Sequence, residues 1–146
     1  MPNKKPLEMS EPAARPRVML VEDDLMLAEL YRLRMDKEGF EVQACRDGEQ
    51  ALQMAKAFKP QLILLDIMMP KLNGFDVLDI LRNTPETKNV KIVVLSAMGQ
   101  ASDIEKAKSL GADDYLVKSQ VLITDVMALL RHHLGLSPRP DSAESA

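Results

Sequence analysis

The chain has 146 residues, of which 46% are hydrophobic and 28% are charged, a composition that suits one globular domain with its own core. A net charge of -3 argues against unaided nucleic-acid binding, because domains that bind nucleic acid usually carry a basic surface. The single cysteine, Cys45, excludes an internal disulfide, and no apolar run approaches the roughly 20 residues of a membrane-spanning helix. We therefore expect a cytoplasmic protein without membrane contact.

Short β-like runs alternate with helix-period runs along the chain. The segment 1–16 is rich in proline and poor in large apolar residues, so we expect a disordered N-terminal tail. The folded unit is predicted at 17–134, and 135–146 is predicted to be a disordered C-terminal tail or a linker. The predicted strands are Val18–Val21, Glu41–Ala44, Leu62–Leu65, Val90–Leu95 and Tyr115–Val117.

The helical segments between these strands have the spacing of a single buried face. In the first helix this face is predicted to contain Leu27, Leu30, Tyr31 and Met35, and in the second Ala51, Met54, Ala55 and Phe58. Each helix is therefore expected to pack on the sheet.

Local signals mark where several helices begin and end. Asp47 with Gln50, and Ser102 with Glu105, have capping-box spacing, which predicts the starts of the second and fourth helices. Glycines follow the first and fourth helices, as is typical of helix ends. Asp24 is better interpreted as a cap of the first helix than as a metal ligand.

Strands such as LILL and IVVL are continuously apolar, as expected when helices cover both faces of a parallel sheet. The alternation of elements predicts an α/β fold with an open, doubly wound parallel sheet. In such sheets ligands bind beyond the carboxyl ends of the strands.

Polar residues follow several of these strands at that predicted edge. Glu22 and Asp23 follow the first strand, Asp66 the third, Ser96 the fourth and Lys118 the fifth. Three gathered carboxylates would repel one another, and a hard divalent cation such as Mg²⁺ together with a lysine would balance them. A carboxylate so placed can act as a nucleophile towards phosphorus, and we choose Asp66 for that role.

Four motifs in order resemble the receiver domain of two-component response regulators, of the chemotaxis-regulator type. They are VMLVEDD at 18–24, LILLDIMMPKLNGFDVL at 62–78, VVLSA at 93–97 and GADDYLVK at 111–118. The resemblance covers essentially 17–134. It implies a flavodoxin-like sheet with strand order 2-1-3-4-5 and five helices.

The resemblance also implies roles for the residues at the sheet edge. Asp66 matches the phosphoacceptor, Asp23 a direct Mg²⁺ ligand, and Glu22 the second acid. The backbone carbonyl of Met68 matches the third protein ligand of the metal, and Lys118 matches the active-site lysine. Among such proteins the domain is a phosphoacceptor that promotes its own phosphorylation and dephosphorylation, rather than an enzyme with a separate substrate.

Two further residues match the switch of the family. Ser96 corresponds to the hydroxyl position and Tyr115 to the switch aromatic, which changes the face made by the fourth helix, fifth strand and fifth helix. The implied partners are a sensor histidine kinase or a phosphotransfer protein, and a downstream protein target. A phosphorylation-dependent dimer is compatible with this scheme, whereas direct nucleic-acid binding is not expected.

Two features depart from the family pattern or tune it: Ser119, and the pair Met68 and Met98. Ser119 replaces the proline that usually follows the lysine, so we predict a trans Lys118–Ser119 bond, since a cis bond before a residue other than proline costs about 2.5–4 kcal/mol. Met68 and Met98 cannot orient an attacking water by hydrogen bonds, which predicts slow loss of the phosphoryl group.

Other functions are weighed against the receiver. The chain could be a receiver excised from a larger regulator with a DNA-binding or enzymatic output. An Asp-nucleophile phosphatase of the haloacid-dehalogenase type would need a second aspartate where Met68 stands. A flavin carrier would need a phosphate loop where Glu22, Asp23 and Asp24 would repel phosphate. His132 and His133 are interpreted as residues favoured near a helix C-terminus.

Overall fold

A computed structural model describes residues 14–138, which form one five-stranded parallel sheet with helices on both faces. The strands are β1 (Arg17–Val21), β2 (Glu41–Cys45), β3 (Leu62–Leu65), β4 (Lys91–Ser96) and β5 (Asp114–Val117). The helices are α1 (Leu25–Lys37), α2 (Gly48–Phe58), α3 (Gly74–Arg82), α4 (Ala101–Ser109) and α5 (Ile123–His133), with a short 3₁₀ turn at Lys118–Gln120.

The strand order is β2-β1-β3-β4-β5, which confirms the predicted fold. All neighbouring strands run parallel, and β3 is buried along its whole length. Continuous burial explains why LILL lacks the alternation of a strand with one wet face. Because the strands are parallel, their carboxyl ends all meet at one edge of the sheet, which we call the carboxyl edge.

Two hydrophobic cores lie on opposite faces of the sheet. One contains apolar residues of α2, α3 and α4, and the other contains residues of α1 and α5. The predicted faces are largely correct, since Tyr31, Met35, Ala51 and Ala55 are buried. Leu30 is an error in the prediction: it is 55% exposed, and Ala28 takes the inward position instead. Residues 28, 31 and 35 follow the i, i+3, i+7 spacing of one helix face.

The helix starts are only partly as predicted. Asp47 caps α2 by accepting a hydrogen bond from the Gln50 backbone N–H at 2.9 Å, as expected. The capping box proposed for Ser102 and Glu105 is wrong, because α4 begins at Ala101 after Gln100, which makes no side-chain cap. Ser102 therefore lies within the first turn rather than before it.

Both predicted glycine helix ends are confirmed. Gly39 and Gly111 have φ values of +92° and +110°, in the left-handed region that closes a helix. After α1 the Gly39 N–H donates to the Asp36 carbonyl and the Phe40 N–H donates to the Met35 carbonyl. These paired bonds satisfy carbonyl groups that the helix end would otherwise leave open.

The predicted tails fall mostly outside the described residues, at 1–13 and 139–146. Within the described part, Arg15 donates hydrogen bonds to the Gly39 carbonyl and to Asp36. At the other end Arg131 donates to the Ser137 carbonyl at 2.7 Å, and Leu136 packs on the core of α1 and α5. Ordered contacts therefore continue on both sides of 17–134. No helix within 14–138 is long and apolar enough to cross a membrane.

Candidate functional site

The carboxyl edge brings three carboxylates together from two adjacent strands. Val21 of β1 pairs with Leu65 of β3, so the residues that follow these strands emerge side by side. The Asp66 N–H donates to the Val21 carbonyl at 3.1 Å, which fixes the start of the loop after β3. One oxygen from each of Glu22, Asp23 and Asp66 lies within 4.8 Å of the others. The predicted convergence of these acids is therefore present.

Lys118 connects the two buried acids of this cluster. Its Nζ donates to Glu22 Oε1 at 2.9 Å and to Asp66 Oδ2 at 3.0 Å. Both carboxylate side chains are only 5% exposed, and the lysine side chain is 25% exposed. Sharing one ammonium offsets part of the repulsion between two carboxylates that solvent screens poorly.

Burial and pairing act in opposite directions on the ionisation of these groups. Burial raises the pKa of Glu22, although hydrogen bonds from Lys118 and from the Asp24 backbone oppose it. Burial alone would lower the pKa of Lys118, but its hydrogen bonds to Glu22 and Asp66 outweigh that effect and raise it. The lysine is therefore held as an ammonium beside its two acids.

Backbone groups hold the remaining carboxylate oxygens in place. Asp66 Oδ1 accepts the Met68 N–H at 3.0 Å, and Glu22 Oε2 accepts the Asp24 N–H at 3.1 Å. Asp24 itself accepts from the N–H groups of Met26 and Leu27, which confirms it as the cap of α1. Asp23 differs from its neighbours because it is exposed at the carboxyl edge.

This set of donors suits a hard cation. Three carboxylates offer only oxygen atoms, which is the ligand type that Mg²⁺ and Ca²⁺ take in proteins. Two of them are fixed by Lys118 and by backbone N–H groups, while Asp23 is accessible from solvent. The acidic cluster could therefore hold a divalent metal ion.

Ser96 and Tyr115 are joined through Met98, which follows β4. The Ser96 hydroxyl is fully buried and accepts the Met98 N–H at 3.1 Å. The Tyr115 hydroxyl donates to the Met98 carbonyl at 2.6 Å, so the ring points inward, with 9% of the residue exposed. Burial raises the pKa of this phenol. One loop residue thus contacts both predicted switch residues.

The two predicted methionines lie against the same part of the site. Met68 is 54% exposed, and Met98 lines a depression together with Asp23, Met69 and Phe75. The Lys118–Ser119 bond is trans, as predicted, since no cis peptide bond occurs within residues 14–138. This bond lies within the 3₁₀ turn Lys118–Gln120.

The histidines lie away from the acidic cluster. His132 and His133 are in the last turn of α5, as expected for residues favoured near a helix C-terminus. His133 Nε2 also lies 3.1 Å from Asp114 Oδ2, a contact that the sequence analysis missed. The order of the strands, which places β5 at one edge of the sheet, is the signal that could have suggested a neighbour for Asp114.

A family model for the response regulator receiver domain matches residues 18–128. The chain belongs to this family. The receiver domain so defined includes all of the predicted site residues, from Glu22 to Lys118.

Curated relatives extend the comparison. The receiver domain is 35% identical over 119 residues to the DNA-binding dual master transcriptional regulator RpaA of Synechocystis, covering 80% of this chain and 49% of that protein. It is 42% identical over 118 residues to the transcriptional regulatory protein CpxR of Klebsiella pneumoniae, covering 79% of this chain and 49% of that protein. The chain thus spans about half the length of the curated relatives it matches.

Solved structures show the same fold. The receiver domain of Francisella response regulator 1452 matches with a TM-score of 0.77 and 26% identity, over 83% of this chain and 98% of that one. The BeF3-activated N-terminal receiver domain of RstA from Klebsiella pneumoniae gives 0.75 and 29%, over 81% and 97%. Membership of the receiver family sets aside both the phosphatase and the flavin carrier.

Proposed function

We propose that this receiver domain accepts a phosphoryl group on Asp66 from a phosphohistidine of a sensor histidine kinase or a phosphotransfer protein. The observation that supports this most directly is the placement of Lys118 between Glu22 and Asp66, at hydrogen-bond distance from both. A carboxylate in this position is oriented, buried and beside a fixed cation. Those are the conditions that favour an attack on phosphorus.

In the transfer, a carboxylate oxygen of Asp66 forms a bond to phosphorus as the donor's phosphorus–nitrogen bond breaks. The electron pair stays on the donor imidazole, which takes up a proton from water. An ammonium has three N–H donors, and Lys118 uses two of them on Glu22 and Asp66. The third can bind an oxygen of the transferring group and stabilise its charge.

Glu22, Asp23, Asp66 and the backbone carbonyl of Met68 are the groups that we propose for holding Mg²⁺. A bound Mg²⁺ would neutralise charge on the phosphoryl oxygens and on the acids. The exposed Asp23 suits first contact with the ion, because the other two carboxylates are already engaged.

Phosphorylation is proposed to act on partners through Ser96 and Tyr115. The two residues meet at Met98, so a phosphoryl group that draws the Ser96 hydroxyl towards Asp66 would also strain the carbonyl contact of Tyr115. Tyr115 lies on β5, between α4 and α5, and the face made by α4, β5 and α5 is therefore the proposed output surface. A protein target or a second phosphorylated copy would bind there.

Nucleic-acid binding by a longer protein and by the receiver domain itself are two different proposals. The names of the relatives describe DNA-binding regulators about twice as long as the matched region. For the domain itself we propose no direct nucleic-acid contact, since the chain carries a net charge of -3. DNA binding by a longer protein that contains this receiver is compatible with that proposal.

Intact-mass analysis after incubation with acetyl phosphate and Mg²⁺ tests the proposed function. The expected result is the addition of one phosphoryl group to the wild-type chain and none to Asp66→Asn. Omitting Mg²⁺ should abolish the addition. Phosphorylation of Asp66→Asn at the wild-type level would exclude Asp66 as the acceptor.

A further inference from the structure

Arg46 lies beside the acidic cluster although no motif singles it out. Val21 of β1 pairs with Cys45 of β2, and the Glu22 N–H donates to the Cys45 carbonyl at 3.0 Å. Arg46 therefore follows β2 as Glu22 follows β1, on strands that are about 4.8 Å apart in a sheet. The two residues emerge next to each other at the carboxyl edge.

The side chain of Arg46 faces the surface around the acids. It lines one depression with Asp23, Lys71 and Asp47, and another with Glu22 and Arg32. The loop that carries it is fixed, because its N–H donates to Gln50 Oε1 at 2.7 Å. Arg46 thus shares one depression with Asp23 and another with Glu22, two of the three acids of the cluster.

Of the cations that line these depressions, Arg46 is the one without a partner in the described part of the chain. Lys71 lies 3.4 Å from Asp47, and Arg32 forms an ion pair with Glu29 at 2.8 Å. Arg46 makes no ion pair or side-chain hydrogen bond within residues 14–138. Its guanidinium can therefore bind an incoming anion without first breaking an internal contact.

The net charge of the acidic cluster at the carboxyl edge suggests what Arg46 does. Three carboxylates face one ammonium, so an approaching phosphoryl group meets net negative charge, and a divalent cation only brings the cluster close to neutral. We propose that Arg46 binds the oxygens of the phosphodonor and draws it to Asp66. The planar fork of a guanidinium matches phosphate oxygens. This inference rests on the proposed function, because it assigns the donor-binding residue of the same site.

The test compares phosphorylation rates of wild type and Arg46→Gln at saturating Mg²⁺ and low salt, with two small donors. Acetyl phosphate is dianionic at neutral pH, whereas phosphoramidate carries less negative charge. We expect Arg46→Gln to lower the second-order rate constant for phosphorylation by acetyl phosphate about three- to fivefold, mainly through weaker binding of the donor, as for an exposed charge pair. The loss should be smaller for phosphoramidate, and it should shrink at high salt.

Two further variants make the result specific. Lys91→Gln removes the same charge from the first residue of β4, at the opposite edge of the sheet, and should leave both rates unchanged. Arg46→Lys keeps the charge and should recover part of the rate. Calorimetric titration with Mg²⁺ measures whether Arg46 acts on the metal site instead.

Equal rates for wild type and Arg46→Gln would overturn the inference. The inference would also fail if Arg46→Gln binds Mg²⁺ more tightly than wild type but is phosphorylated at the wild-type rate at saturating Mg²⁺. Arg46 would then only weaken the binding of Mg²⁺ to the acids. A wild-type chain that takes up no phosphoryl group at all would overturn the proposed function, and this inference with it.

Discussion

Removing Lys118 should destabilise the fold when no divalent cation is present. In Lys118→Met the chain length is nearly kept, but two carboxylates that are each 5% exposed lose their shared ammonium. Breaking a fully buried ion pair in this way costs about 3–5 kcal/mol, whereas an exposed pair contributes about 0–1 kcal/mol. Because the lysine is 25% exposed, we expect a loss of about 2–3 kcal/mol in the free energy of unfolding.

The structure also gives the expected effect of a metal. Without the ammonium, Glu22 and Asp66 repel each other more strongly, so a divalent cation should bind the variant more tightly than wild type. A ligand that binds only the native state raises the free energy of unfolding by RT ln(1 + [L]/Kd), so tighter binding gives a larger increase. Adding Mg²⁺ should therefore narrow the stability difference between the two proteins.

Urea unfolding followed by far-ultraviolet circular dichroism, with EDTA or with Mg²⁺, measures both effects. Lys91→Met at the opposite edge of the sheet is the matched control and should unfold as wild type does. The reasoning is refuted if Lys118→Met is as stable as wild type in EDTA, or if Mg²⁺ leaves the difference unchanged.

Three other predictions concern neighbouring features. In Gly74→Ala the new Cβ would overlap the Ile67 Cα and lie 2.7 Å from the Asp66 carbonyl oxygen, so the free energy of unfolding should fall by about 2 kcal/mol or more in urea titrations. Gly39→Ala has open space around its new Cβ and should lose about 1 kcal/mol from its positive φ alone. Burial raises the pKa of the Cys45 thiol to about 12, so at pH 8 the thiolate is scarce and Ellman's reagent should label the chain only after unfolding; rapid native labelling would contradict this. Replacing Met98 with Glu should speed loss of the phosphoryl group in time-resolved mass measurements, because a carboxylate can orient water; slower loss would exclude that reasoning.

The site was predictable from the sequence because it follows from strand ends. LILL is buried on both faces, so its end could be located, and the acid directly after it had to lie at the carboxyl edge. The same argument placed Glu22 and Lys118. What periodicity could not give was the direct contact between those two residues, which depends on how side chains from β1 and β5 extend over the intervening strands.

Errors arose where tertiary contacts decide between similar local signals. Ser102 and Glu105 have the spacing of a cap, but the helix begins before them. Leu30 and Ala28 are both apolar, but Ala28 lies on the helix face that also carries the buried Tyr31 and Met35, whereas Leu30 is 55% exposed. Glu38 is buried near Arg131, which lies 93 residues further along the chain, and no local pattern reveals such a pairing.

The turn after α1 ties together both ends of the described chain. Arg15 binds the Gly39 carbonyl, and Arg131, which holds Ser137, also donates to the Glu38 carbonyl. This turn precedes β2, so it lies at the amino edge of the sheet, remote from Lys118. Ends that lie close together tolerate circular permutation and the attachment of further domains. A reporter or domain attached next to Arg15 or Ser137 would therefore start at the amino edge of the sheet and leave the proposed phosphoacceptor at the carboxyl edge uncovered.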